Sequence, residues 1–199
     1  MSESLISIIQ TVGYIGIFGM VFAESGILFG VVFPGDTLLF TAGFLASQGY
    51  LNIVVLVVGS FIAAVLGDSV GYYLGFKFGP KIFARPNSRF FKQEYVFKTQ
   101  AFFDKHGKKT IFFARYIPIV RTFAPVFSGI GAMQYKNFLF YNILGGLVWT
   151  LSLPLLGYFL GRKIPNIDAY ILPIVIGIFL VTMIPVVSGM LRAAREKSE

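Results

Sequence analysis

Apolar runs dominate the chain, and two of them are interrupted by charge and proline where a membrane helix should be purest. Three uninterrupted runs, Leu51 to Phe76, Phe138 to Leu160 and Tyr170 to Leu191, can each cross a bilayer as a helix, which takes about 20 apolar residues. A fourth, Leu5 to Ala23, is apolar but carries Gln10, Thr11 and three glycines; it spans the bilayer or lies at its interface, and spanning is the reading adopted. The first interrupted stretch runs from Glu24 through Phe33, Pro34 and Gly35 to Asp36; the second runs from Arg115 through Pro118 and Arg121 to Pro125. Charges at membrane depth are costly and face a partner or a water-filled cavity, and broken backbone there is tolerated only inside protein or beside such a cavity. Residues 24–47 and 110–131 each have room for two half-depth helices, because ten helical residues rise about 15 Å, half the hydrocarbon thickness. Pro34 and Gly35 are predicted to form the first tip, and Pro118 and Pro125 to break the second stretch. The predicted fold is an all-α membrane protein with about four transmembrane helices and two opposed re-entrant helical hairpins, in a single membrane domain over residues 1–199.

Basic residues orient this arrangement. Nine of the 17 Lys and Arg residues lie between Lys77 and Lys109, which places the loop 77–109 in the cytoplasm together with the tail 192–199 and the N-terminus. Residues 161 to 168 then face outward, with Arg162 and Lys163 against the rule. The first broken stretch must enter and leave from outside and the second from the cytoplasm, as in inverted-repeat transporters that build a site near the midplane. No internal sequence repeat is evident, so that symmetry rests on topology alone. Within the basic loop, Phe90, Phe91, Tyr95, Phe97, Phe102 and Phe103 alternate with charged residues, which predicts an amphipathic helix on the anionic lipids of the inner leaflet.

Composition narrows the function classes. Hydrophobic residues make up 56 % of the chain and charged residues 13 %, with a mean hydropathy of +0.76, more apolar surface than a soluble domain of this length can bury. The net charge of +8 is concentrated in one loop and reads as topological rather than directed at nucleic acid. There is no cysteine and one histidine, His106, which excludes a Cys-based zinc site and a Cys nucleophile and argues against an intramembrane enzyme. Neither a metal nor a cofactor is expected. The N-terminus lacks a basic leader and a cleavage site, so residues 5 to 23 are read as retained structure.

An ordered set of short motifs carries a resemblance: Glu24; Phe33-Pro-Gly-Asp36-Thr; Gly67-Asp68-Ser-Val-Gly71-Tyr72-Tyr-Leu-Gly75; Phe103-Asp-Lys-His-Gly107; Arg115-Tyr-Ile-Pro118-Ile-Val-Arg121-Thr-Phe-Ala-Pro125; and Gly129-Ile-Gly131-Ala-Met133. Over roughly residues 15 to 160 the chain resembles the DedA family of polytopic membrane proteins, also called the SNARE-associated or VTT-domain family. That resemblance implies two opposed re-entrant hairpins, the bacterial cytoplasmic membrane, and transbilayer movement of lipids. For bacterial members it implies return of undecaprenyl phosphate to the cytoplasmic leaflet; other members move ordinary phospholipids.

The charged residues fit such a task. Arg115 and Arg121 are candidate phosphate ligands, since a guanidinium stays charged and offers a planar fork to phosphate oxygens. Six residues of continuous helix would set them on opposite faces, but a break at Pro118 lets them converge. The bland alternative is that each Arg merely neutralises a buried carboxylate. Glu24 and Asp36 suit proton coupling, because a carboxylate that loses its guanidinium to a phosphate is left to take up a proton. Their bland readings are a salt bridge for Glu24 and a helix cap for Asp36. Asp68, among Gly67, Gly71 and Gly75, reads mainly as structural polar glue and second as a proton relay. Trp149 falls mid-span and reads as packing, and His106 as solvated. The expected function is proton-coupled lipid transport; a phospholipid scramblase and an ion or small-solute transporter are the alternatives, and self-association into a homo-oligomer is left open.

Overall fold

The computed structural model describes residues 3–26, 35–83 and 109–163. Among these the secondary structure is helical throughout: α1 (Glu3–Gly26), α2 (Gly35–Ser47), α3 (Ile53–Phe83), α4 (Thr110–Ala114), α5 (Pro118–Ile130) and α6 (Tyr135–Lys163). Residues 53–79 of α3 and the whole of α6 are long and apolar enough to cross a membrane. Their β-branched residues are helical because, away from water, only a helix satisfies its own backbone polar groups within one segment. Val54, Val58, Ile62 and Leu66 form an exposed apolar stripe along α3, a surface suited to hydrocarbon. Asn52 starts this helix, its side-chain oxygen accepting from the backbone of Val54 at 2.9 Å and Val55 at 3.3 Å. The Tyr14 hydroxyl accepts from the Asn52 backbone at 2.5 Å and pins α1 to the same point.

The chain builds one arrangement twice. A 13-residue helix leads through a tight turn into a long one, first as α2 and α3, then as α5 and α6. Both turns close alike: Tyr50 donates to Leu45 and Gly49 to Ala46, and correspondingly Met133 donates to Ser128 and Ala132 to Gly129. The left-handed position is Gly49, φ 82, in the first turn and Ala132, φ 50, in the second. Gly49 and Ala132 are 83 residues apart, as are Gly35 and Pro118, and Ser47 and Ile130. The short helices are exchanged, α2 packing on α6 and α5 on α3. The register repeats to within one residue, since Gly161 lies against Ser47 and Gly79 against Ile130. Gly43 meets the Pro154 backbone and Gly75 the Val126 backbone, so a Cβ at either would strike a carbonyl. Small residues allow the close helix approach that gives membrane bundles their dispersion contacts. α1 lies along α3, and Ile17, Val21, Leu39, Leu56, Ala63, Ala64 and Trp149 form the main apolar core.

Three expectations need adjustment. Glu24 belongs to the last turn of an unbroken α1, because helix continues through Gly26. Pro125 lies inside α5 rather than breaking it: losing one backbone donor is tolerable in a packed bundle, and Gly71 on α3 leaves room beside the ring. The actual break is at residues 115–117, where Ile117 is extended at φ −110, ψ 110 and Pro118 opens α5, as the restriction on a residue before proline dictates. Pro34, most of the basic loop with the amphipathic helix expected there and His106, the run 170–191 and the tail 192–199 lie outside the described residues.

Candidate functional site: a buried charge network

Every helix of the described fold contributes to, or ends at, one polar cluster. Glu24 comes from the end of α1, Asp36 from the start of α2, Asp68 from α3, Arg115 from the break after α4, Arg121 from α5, and Asn142 and Trp149 from α6. Glu24, Asp68, Arg115, Arg121, Asn142 and Trp149 are each at most 5 % exposed, whereas the Asp36 side chain is 44 % exposed. Charges buried to that degree persist only when paired and hydrogen-bonded.

Two ion-pair groups share the cluster. In the first, Arg121 reaches two carboxylates with its two terminal nitrogens: Nη1 donates to Asp36 Oδ1 at 2.6 Å and Nη2 to Glu24 Oε1. Gly35 allows this closure, because a Cβ there would run into the Glu24 carboxylate. In the second, Arg115 Nη1 donates to Asp68 Oδ2 at 2.7 Å and to Asn142 Oδ1 at 2.7 Å. Asn142 is held in turn by donating to the Val65 carbonyl at 3.3 Å. Gly145 and Gly146 let Arg115 lie against α6, a Cβ on them coming within 3.3 Å of its Cδ and 3.5 Å of its Nη1.

Trp149 joins the two groups. Its Nε1 donates to Asp36 Oδ1 at 2.7 Å, while its ring lies 4.6 Å from the Arg121 guanidinium and 5.6 Å from that of Arg115, within cation–π range of both. With every group ionised, three carboxylates face two guanidiniums, an excess of one negative charge. Four ionic side-chain atoms remain without a hydrogen-bond partner among the described residues: Glu24 Oε2, Asp68 Oδ1, Arg115 Nε and Arg115 Nη2. Among these residues, no three His, Cys, Asp or Glu side chains group closely enough to hold a metal ion.

The structure thus brings together Glu24, Asp36, Asp68, Arg115 and Arg121. The two arginines converge on one indole because the chain breaks between them. Glu24 does pair with an Arg of the second broken stretch, and the Asp36 carboxylate is directed at Arg121 and Trp149. Trp149, expected as packing alone, is a hydrogen-bond donor at the centre of the network. Asn142 was not singled out in the sequence; the available signal was a carboxamide inside the apolar run 138–160, where polar residues are uncommon and need partners.

A model of the VTT domain matches residues 33–159, which include every network residue except Glu24. Protein DedA of Escherichia coli strain K12 is 44 % identical over 184 residues, covering 92 % of this chain and 84 % of that protein. An uncharacterized membrane protein of Mycobacterium leprae is 42 % identical over 179 residues, 90 % of this chain and 80 % of its own. Inner membrane protein YqjA of Escherichia coli strain K12 is 32 % identical over 149 residues, 75 % and 68 %. No solved structure matches the chain.

Proposed function

The chain belongs to the VTT-domain (DedA) family of membrane proteins, and we propose that it is a transporter that moves a phosphate-bearing lipid across the bacterial cytoplasmic membrane. The observation that carries this reading is the meeting of two buried guanidiniums and three buried or half-buried carboxylates beside one tryptophan. A headgroup phosphate can replace carboxylate as a guanidinium partner with similar fork geometry, while the lipid tail stays in hydrocarbon. A carboxylate deprived of its guanidinium inside a low-dielectric cluster takes up a proton rather than remain charged and unpaired. Exchange of partners at Arg121 therefore ties phosphate binding to proton uptake at Glu24 and Asp36. The proposed membrane arrangement has the stretches 24–47 and 110–131 as re-entrant hairpins from opposite sides and both termini in the cytoplasm. Undecaprenyl phosphate is the substrate that the family resemblance favours, with bulk phospholipid as the alternative.

The test is reconstitution of the purified protein in liposomes, following the sidedness of undecaprenyl phosphate and of a bulk phospholipid with and without an imposed pH gradient. Movement of the prenyl phosphate that is lost in an Arg115→Ala/Arg121→Ala variant supports a carrier-lipid transporter. Movement of both lipids makes the protein a scramblase. If neither lipid moves under any gradient, lipid transport is rejected in favour of ion or solute flux. Glu24→Gln and Asp36→Asn should each uncouple movement from the pH gradient, and unchanged coupling removes them as proton carriers.

A further inference from the structure

The two arginines of the network differ in how much of each guanidinium is occupied. Arg121 has both terminal nitrogens engaged, one on Asp36 and one on Glu24. Arg115 concentrates its ion pair and hydrogen bonds on Nη1, which faces Asp68 Oδ2, Asn142 Oδ1 and, at 3.3 Å, the Asn142 carbonyl. Its Nε and Nη2 have no acceptor among the described residues, although the side chain is only 5 % exposed. An N–H buried without an acceptor is costly, more so at membrane depth. The Nε–Nη2 edge is the face of a guanidinium that binds two oxygens of one anion side by side.

We propose that the Nε–Nη2 edge of Arg115 is the docking site of a phosphate monoester in the resting protein, with Arg121 reserved until its two carboxylates let go. This rests on the lipid-transport reading and assigns its two arginines separate roles, one for arrival and one for transfer. Asp68 holds Arg115 from its other side through Nη1 and sets its orientation, together with Asn142 on α6. Trp149 touches both guanidiniums and donates to Asp36; with both terminal nitrogens of Arg121 engaged, Arg115 is the guanidinium with an uncommitted edge. Asp68 is the carboxylate paired with Arg115, so its negative charge opposes a docked anion.

Trp149 is the chain's single tryptophan and touches both guanidiniums, which makes its fluorescence a built-in reporter. The experiment titrates the full-length protein in detergent with inorganic phosphate, dodecyl phosphate, dioleoyl phosphatidylglycerol and dodecanol. Wild-type protein should respond saturably to dodecyl phosphate and not to dodecanol. An added response to inorganic phosphate would show that the phosphate group suffices, and its absence that the tail is required; both support the site. Arg115→Lys keeps a cation beside Asp68 but loses the fork, and should weaken dodecyl phosphate binding by about tenfold or more. Arg121→Lys should change it by less than about threefold, since that guanidinium is already committed. Asp68→Asn should tighten binding by about threefold or more, because a like charge beside the anion is removed. That gain cannot arise from misfolding. The assignment is overturned if wild type responds equally to dodecanol or to no phosphate at all, or if Arg115→Lys binds as wild type does. Arg115→Lys that binds normally while liposomes still show arginine-dependent lipid movement would reject the fork and leave transport standing. Arg115-dependent binding with no movement of any lipid would do the reverse.

Discussion

The Arg121 group and the Arg115 group are built from the same parts and end in different chemical states. Each takes an arginine from one short stretch of chain, a carboxylate from a separate helix, and a face of Trp149. Arg121 meets two carboxylates, so its charge is over-compensated and its terminal nitrogens are committed. Arg115 meets one carboxylate and an amide, so its charge is balanced and one edge is left over. Two residues of one type, six positions apart, thus receive a locked and an open role from the number of acids that the fold delivers to each. The repeated helix arrangement around them makes the contrast sharper, because the backbones of the two halves are alike and the acids they carry are not.

The largest expected effect comes from breaking the locked group. Arg121→Ala leaves Glu24 buried without a counter-charge and should lower stability by about 3–5 kcal/mol, measured by thermal unfolding in detergent. A loss below about 1 kcal/mol, the scale of a surface pair, would show that the lock contributes little. Next come the two exchanged interfaces. Gly75→Ala would strike the Val126 carbonyl and Gly157→Ala the Phe40 carbonyl, so each should cost about 1–3 kcal/mol by overpacking. Similar losses would confirm that the halves are mechanically equivalent; a severalfold difference would break that equivalence.

A smaller effect is expected at the shared residue. Trp149→Phe keeps an aromatic face for both guanidiniums but removes the donor to Asp36, at a cost of about 1.5 kcal/mol. Dodecyl phosphate affinity, read by thermal shift in this variant, should move by less than about threefold if the indole N–H serves only the Arg121 side. A larger drop would mean that the two groups act as one. The smallest effect is reserved for α1, where a Cβ on Gly16 would meet nothing within 4 Å. Gly16→Ala should leave stability within about 0.5 kcal/mol or raise it slightly through helix propensity. A marked loss of stability would reveal a packed partner on that face.

Much of the fold was legible because membrane depth leaves the backbone few options. The run 51–76 appears as α3, which starts at Ile53 and continues to Phe83, and the run 138–160 as α6, extended to Tyr135 and Lys163. Pro118 marks the start of α5, since proline fits the first helical turn and constrains the residue before it. Pro125 was misread because a proline's effect depends on what packs around it, here the space beside Gly71. The 83-residue repeat was hidden because it is a repeat of helix lengths, turn geometry and glycine contacts, carried by dissimilar side chains such as Gly49 and Ala132. Asn142 and Trp149 were under-read for a related reason: one polar atom in an apolar run gives no hint of its partner.

The sequence alone determined that this is a helical membrane protein with acid and base set inside apolar stretches, because periodicity, length and the cost of buried charge are local properties of the chain. It also determined which charged residues are candidates, since few ionisable groups sit at that depth. Only the tertiary structure decided how they pair: Arg121 with Glu24 and Asp36, Arg115 with Asp68 and Asn142, and Trp149 against both. Pairing depends on which helices are exchanged between the two halves, and that is set by glycine contacts between residues about 50 to about 117 positions apart. Hydrogen bonds and ion pairs act over a few ångströms in space, so distance along the chain carries almost no information about them.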